Sequence, residues 1–288
     1  MRILLTGATG AVGAELAPAL VAAGHEVVAA TRRSSAYAGP GSAVTFDLDG
    51  PEAALAAALE GVDAAYYLVH GLDRRDVAAV DRSRAERFAR AWGPGRPVVY
   101  LGGLGPDDTG SPHLRSRHEV GAVLRDRCAA VELRASIVIG PRSLSFQLLK
   151  VLSCLAGTSP LPVAVPASSA ALTQPIAQRD LTAALVAALD LAPGVYDVGG
   201  EEVLSFRALL ERAAATQGRT LRTAPVVPLG ADWFGPLASV LAGVDPWATT
   251  SLFASMATET VVDDARRPPG PDGRATDLDT ALALALAG

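Results

Sequence analysis

The chain has 288 residues, half of them hydrophobic, with 24 arginines, a single lysine (Lys150) and a net charge of −5. That is enough apolar material for one large domain or a core with a smaller lobe, and an acidic chain without a basic run is a poor nucleic-acid ligand. Two cysteines without short spacing, Cys128 and Cys154, argue against a disulfide frame or a cysteine metal site and fit a reduced, cytoplasmic protein.

Arg2-Ile3-Leu4-Leu5 reads as a short buried strand. It runs into Thr6-Gly7-Ala8-Thr9-Gly10-Ala11-Val12-Gly13 and then an alanine-rich helix to about Ala23. Each glycine of the triplet has a physical task. Gly7 turns the chain out of the strand, Gly10 lets a pyrophosphate approach the backbone, and Gly13 lets the helix press on the sheet. Phosphates would rest on the unpaired N–H groups and positive end of that helix, around Thr9, Ala11 and Val12. The N-terminal glycines and Glu15 break any signal-peptide pattern.

His25 to Thr31 reads as a second strand ending in Arg32 and Arg33. In dinucleotide folds this end faces the adenosine ribose, where an acid binds a free 2′-hydroxyl. Two arginines suit a 2′-phosphate instead, so NADP(H) is favoured over NAD(H); the alternative is two solvated loop arginines. Val44 to Leu48 is the expected third strand, with Asp47 either accepting from the adenine amine or sitting idle in a loop. Pro51 to Leu59 is a helix with Asp49 as its cap. Val62 to Val69 is a fourth strand, and Val69-His70-Gly71 would pass the nicotinamide ribose unless His70 is a plain loop histidine. Arg74 to Trp92 is a long helix and Pro97 to Leu101 the fifth strand.

Strands alternating with helices at this rhythm imply parallel pairing and right-handed crossovers. The expected fold is α/β, a Rossmann-type doubly wound parallel sheet with a small C-terminal substrate lobe. Ligands then gather beyond the carboxyl ends of the strands.

The TGxxGxxG opening, Val44 to Leu48, Arg134 to Gly140, Gln174 to Asp180 and Tyr196 to Gly200 resemble the short-chain dehydrogenase/reductase superfamily, in its extended or atypical branch. The blocks Tyr66 to His70, Leu101 to Gly105 and His113 to Gly121 resemble NmrA-like NAD(P)-binding proteins. The resemblance implies dinucleotide contacts at Gly7, Thr9, Gly10, Ala11, Val12, Gly13, Arg32, Arg33, Asp47, Leu48, Val69, His70, Gly102 and Arg117.

The superfamily's reductases carry Tyr-x-x-x-Lys on one helix face, with Lys lowering the Tyr pKa. No tyrosine here has a lysine four residues on. The matching helix begins at Pro112 and places His113 and Arg117 at those positions, while the usual serine is Gly102 or Gly103. Either His113 is a substitute proton donor, titrating near neutrality, with Arg117 holding the ribose; or the site binds cofactor without hydride transfer, as in a redox sensor; or His113 is an exposed residue at a helix start. Metal binding is not expected, because His113 and His118 lie about 140° apart around a helix.

Arg134 to Gly140 is the expected sixth strand and its exit, with Pro141 to Ser145 arching over the nicotinamide end. Leu104, Ile139, Arg142 and Phe146 are the expected substrate contacts. Residues 151–178 are uncharged, but Pro160, Pro162, Pro166 and Pro175 forbid a membrane-spanning helix there. Residues 1–160 should form the dinucleotide-binding core, and 161–288 should complete the sheet and build the lobe. In the second part, Asp180 to Leu189 is a helix capped by Asp180, Gly194 to Val198 a strand, and Ser205 to Ala215 a helix capped by Ser205. Ala231 to Phe253 reads as two helices bearing Trp233, Phe234 and Trp247, either a pocket roof or a homodimer contact. The leading function is hydride transfer to a small, mostly apolar carbonyl or enone; the alternatives are a sensor without turnover and a non-redox cyclase or isomerase.

Overall fold

Successive residues of the first strand bury on opposite faces, as the two-residue period of a strand requires. Ile3 and Leu5 enter one core, Leu4 the other, and Val27/Val28 and Tyr66/Tyr67 divide in the same way. A strand apolar on both faces belongs inside a sheet covered by helices on both sides. The computed structural model describes residues 1–71, 77–156, 162–226, 239–240, 243, 245–269 and 275–288, and shows that sheet.

Among the described residues it has seven strands: β1 (Arg2–Thr6), β2 (Glu26–Thr31), β3 (Ser42–Thr45), β4 (Ala64–Tyr67), β5 (Pro97–Gly103), β6 (Ala129–Ala135) and β7 (Gly194–Val198). They lie in the order β7-β6-β5-β4-β1-β2-β3, every neighbour parallel. The chain reverses direction across the sheet between β1 and β4, which opens a crevice at their carboxyl ends.

Helices α1 (Ala11–Ala22) and α6 (Gln178–Ala187) cover one face through Leu16, Leu20, Leu181 and Leu185. On the other face, α2 (Glu52–Ala58), α3 (Val77–Trp92) and α4 (Pro112–Arg127) bury Leu55, Phe88, Trp92 and Leu124. Phe88 stacks on Trp92 at 5.9 Å between ring centroids, and the Arg96 guanidinium lies 3.7 Å from the Trp92 ring centroid.

A third core joins α5 (Leu144–Ala156), α7 (Phe206–Thr216) and α9 (Leu278–Ala287) through Phe146, Leu149, Leu209 and Leu282. Short strand pairs, Val138–Ile139 with Ile176–Ala177 and Val163–Pro166 with Thr223–Val226, attach this lobe beside the sheet. Helix α8 (Pro246–Ser255) is the described part of the aromatic stretch; Trp233 and Phe234 lie outside the described residues. Arg74, the expected start of α3, also lies outside them.

The structure moves several expected boundaries. β3 begins at Ser42 and leaves the ladder after Thr45, because Phe46 and Leu48 turn inward to fill the core. β6 is Ala129–Ala135 rather than Arg134 to Gly140; its charges Glu132 and Arg134 satisfy each other inside the sheet at 2.9 Å. Asp49 does not cap α2, whose N-cap is Pro51; it pairs with Arg84. Asp180 does not cap α6 either, since it sits in the first turn and accepts from Thr276 N at 2.7 Å. Ser205 does cap α7, accepting from Ala208 N at 3.1 Å.

Candidate functional site

The reversal point is pinned by one hydroxyl. Thr6, fully buried at the end of β1, donates to Tyr66 O at 2.9 Å and accepts from Leu68 N at 3.0 Å, tying β1 to β4. Gly7 then takes φ +68°, and a Cβ there would stand 2.9 Å from Leu68 O. Gly10 N closes the turn on Gly7 O at 2.9 Å. A Cβ on Gly13 would collide with that same carbonyl, so only glycine lets α1 start against the loop. Helix α1 has no side-chain cap and no acidic residue in its first turn. Its first N–H groups therefore need an acceptor from outside the helix, which is what an anion supplies.

The loop opens into a cavity of about 430 Å³. Ala11, Val12, His70, Gly102, Leu104, His113, Arg117 and Arg142 line it, so residues spread over 130 positions of sequence meet at one place. Much of its wall is apolar, with Leu148, Leu172, Phe206, Leu252 and Met256 among the lining residues. Among the described residues its wall holds no Asp, Glu or Lys.

His113 and Arg117 stand one turn apart on α4, which Ser111 caps by accepting from Leu114 N at 3.4 Å. The Arg117 guanidinium is buried, donates to Leu101 O and lies 5.4 Å from the Tyr100 ring centroid. His70 faces His113 with 6.4 Å between ring centroids. Loss of hydration, together with the nearby Arg117 cation, pushes the His113 pKa down to about 4. A histidine that titrates near neutrality is therefore not present at this position.

The His70 pKa is also lowered, by loss of hydration first and then by the Arg117 and His113 charges. Its ring nevertheless keeps surface open to the cleft. Asp81, buried on α3, holds the preceding loop by accepting from Gly71 N at 3.0 and 3.1 Å.

Three hydroxyls on the wall form a triangle that the sequence reading missed. Ser136 Oγ is 2.6 Å from Thr173 Oγ1 and 2.8 Å from Thr260 Oγ1, and the two threonines are 3.0 Å apart. Ser136 directly follows β6, where the rule about strand ends would have found it. Thr173 and Thr260 carry no local signal, since only tertiary folding brings them to Ser136.

Other expected contacts fall elsewhere. Ile139 and Phe146 are not substrate contacts on the cavity wall but core residues of the lobe, 2% and 1% exposed. Leu48 is likewise core, and Val69 packs against the same cluster. Arg32 and Arg33 are exposed just past β2, and neither forms an ion pair among the described residues. Asp47 is exposed past β3, and its Oδ1 accepts from Asp49 N at 3.1 Å. Arg142, expected at the substrate, does line the cavity, and there it donates to Thr9 O in the glycine loop at 3.0 Å. Among the described residues no group of three His, Cys, Asp or Glu is placed to hold a metal, and no helix is long and apolar enough to cross a membrane.

Sheet order, reversal point and glycine loop define a Rossmann-type fold. Residues 3–85 match the model of the NAD-dependent epimerase/dehydratase family. A nucleoside-diphosphate-sugar epimerase from Staphylococcus aureus superimposes with a TM-score of 0.75 at 13% identity, over 98% of this chain and 100% of that one. A short-chain dehydrogenase/reductase superfamily protein from Agrobacterium tumefaciens with bound NAD gives 0.62 at 19%, over 89% and 96%. UDP-glucuronic acid 4-epimerase from Bacillus cereus in complex with NAD gives 0.62 at 16%, also over 89% and 96%. No curated protein sequence matches the chain significantly. These likenesses show the fold, a parallel Rossmann-type sheet that this chain shares with short-chain dehydrogenase/reductase and sugar-nucleotide epimerase structures.

Proposed function

We propose that the protein is an NADP(H)-dependent oxidoreductase acting on a small, mostly apolar carbonyl or enone. The observation that carries this reading is that Ala11 and Val12 of the glycine loop and the apolar side chains Leu148, Leu172, Phe206, Leu252 and Met256 line one cavity. The glycine loop fits a dinucleotide: it has the close approach at Gly10, the helix contact at Gly13 and an uncapped α1. Two of the three solved structures named above hold NAD, which supports a nicotinamide dinucleotide. Arg32 and Arg33, exposed past β2 and without acidic partners among the described residues, support the 2′-phosphate form. Walls this apolar do not suit the sugar nucleotides of the epimerases.

When bound, the dinucleotide would supply or accept hydride. The chain's own part is electrostatic. With a pKa of about 4, His113 is neutral at pH 7 and serves as an N–H hydrogen-bond donor to a substrate oxygen rather than as an imidazolium acid. Arg117, buried on the same helix face, is the cation that favours negative charge developing on that oxygen.

Titration with NADPH and NADH tests the cofactor reading. NADPH should bind more tightly, and Arg32→Ala/Arg33→Ala should cut its affinity at least about tenfold without changing NADH. In a carbonyl screen that consumes NADPH, His113→Ala should slow turnover at least about tenfold. Full activity without His113 would remove its role and leave the fold untouched.

The epimerase/dehydratase match favours a second reading, in which hydride is removed and returned on one bound substrate. Product formation without net NADPH consumption would select it.

A further inference from the structure

The pyrophosphate of a dinucleotide brings two negative charges to the glycine loop. Residues Gly7 to Gly13 offer no cationic side chain, and the start of α1 supplies only the partial charge of its peptide dipoles, about half an elementary charge. The loop alone leaves most of that charge uncompensated in a cavity whose wall holds no lysine.

One cation does reach it. Arg142 lies 133 residues away in sequence, yet its Nη2 donates to Thr9 O at 3.0 Å, between Gly7 and Gly10. Among the described residues this carbonyl is its only partner, and no carboxylate neutralises it. Its side chain lines the same cavity as Ala11 and Val12 and is exposed at the mouth.

The backbone beneath Arg142 is held firmly. Ser143 N closes a turn on Gly140 O at 3.0 Å, and Gln147 Nε2 donates to Pro141 O at 3.3 Å. A Cβ on Gly140 would stand 2.8 Å from Gln178 Cβ, so this turn is wedged against α6. A long, flexible side chain on a fixed base can exchange one acceptor for another without moving the fold. A phosphate oxygen is the stronger acceptor, because its hydrogen bond to a guanidinium is charge-assisted and a carbonyl's is only half so. The guanidinium also has five donors, of which the carbonyl engages one.

We infer that Arg142 is a pyrophosphate clamp: it rests on Thr9 O across the mouth of the glycine loop and transfers its hydrogen bonds to the dinucleotide phosphates on binding. The inference rests on the proposed dinucleotide binding and reassigns Arg142 from substrate to cofactor.

The test compares two ligands on the intact protein and on Arg142→Gln and Arg142→Lys. NADPH is followed by nicotinamide fluorescence. Adenosine 2′-monophosphate, which keeps the adenosine end and lacks the pyrophosphate, is followed by calorimetry. Arg142→Gln should raise the Kd for NADPH by about tenfold to a hundredfold while adenosine 2′-monophosphate stays within about twofold. Arg142→Lys, which keeps the charge and loses the fork, should fall between. Unchanged NADPH affinity in Arg142→Gln would overturn the clamp, and so would an equal loss for both ligands. An intact protein that binds neither NADPH nor NADH would overturn the dinucleotide reading itself, a different failure from either of these.

Discussion

His113 illustrates how far a residue's surroundings can move its chemistry. An unfolded histidine takes up a proton near 6.5, whereas His113 in the fold does so at about 4. Between those values the unfolded chain holds more proton, so stability falls as pH drops through this window. Through this one side chain the protein should be about 2 kcal/mol less stable at pH 5 than at pH 7. Urea unfolding at both pH values should show that loss, and His113→Gln should remove most of it. An equal pH dependence in the variant would mean that His113 is better hydrated than its surroundings indicate. At this scale the sequence was legible where chemistry is local. Gly7, Gly10 and Gly13 could be read because a tight turn and a close helix contact each demand glycine. Phe146 and Ile139 could not, because an apolar face says that a residue is buried and not what it is buried against.

Elements are joined by a run of charges that no motif announces. Glu132, with no exposed surface on β6, pairs with Arg125 of α4 and with Arg134. Arg134 continues to Asp107 at 2.6 Å, and Asp107 to Arg266 at 3.2 Å. Gly121 allows this: a Cβ at that position of α4 would overlap the Glu132 carboxylate. Removing one partner of a buried pair strands the other, so Glu132→Gln should cost about 3–5 kcal/mol. Asp107 is largely exposed, and Asp107→Asn should cost under about 1 kcal/mol. Denaturant midpoints for the two variants test the contrast; similar losses would mean that water reaches the Glu132 site. The same charges explain the misplaced sixth strand, since Glu132 and Arg134 interrupt the apolar run by which a central strand is recognised. The third strand erred in the opposite direction. Phe46 and Leu48 extend an apolar run beyond the last ladder pair, Thr31 with Thr45.

For the molecule as a whole, alternation of strand and helix was enough to give a parallel, doubly wound sheet, because parallel pairing and right-handed crossover leave few arrangements. The cavity was less legible, since its wall draws on loops and lobe segments that meet only in three dimensions. A ligand that binds only the folded chain raises its stability by mass action, so NADPH at a hundred times its Kd should add about 2.7 kcal/mol. Thermal unfolding should show a midpoint that climbs with NADPH concentration, and a midpoint indifferent to NADPH would count against dinucleotide binding. The cavity wall also has a bearing on how binding data should look across the pH scale. His70 and His113 are its only described groups that can change charge below the arginines, and both do so well on the acid side. From about pH 6 to 9 the receptor presents a constant charge, so any slope in that interval belongs to the ligand. NADH has no group ionising there and should bind with a level profile. NADPH carries a 2′-phosphate whose second proton leaves near pH 6, so its affinity should climb as the solution passes from acid to neutral and then level off.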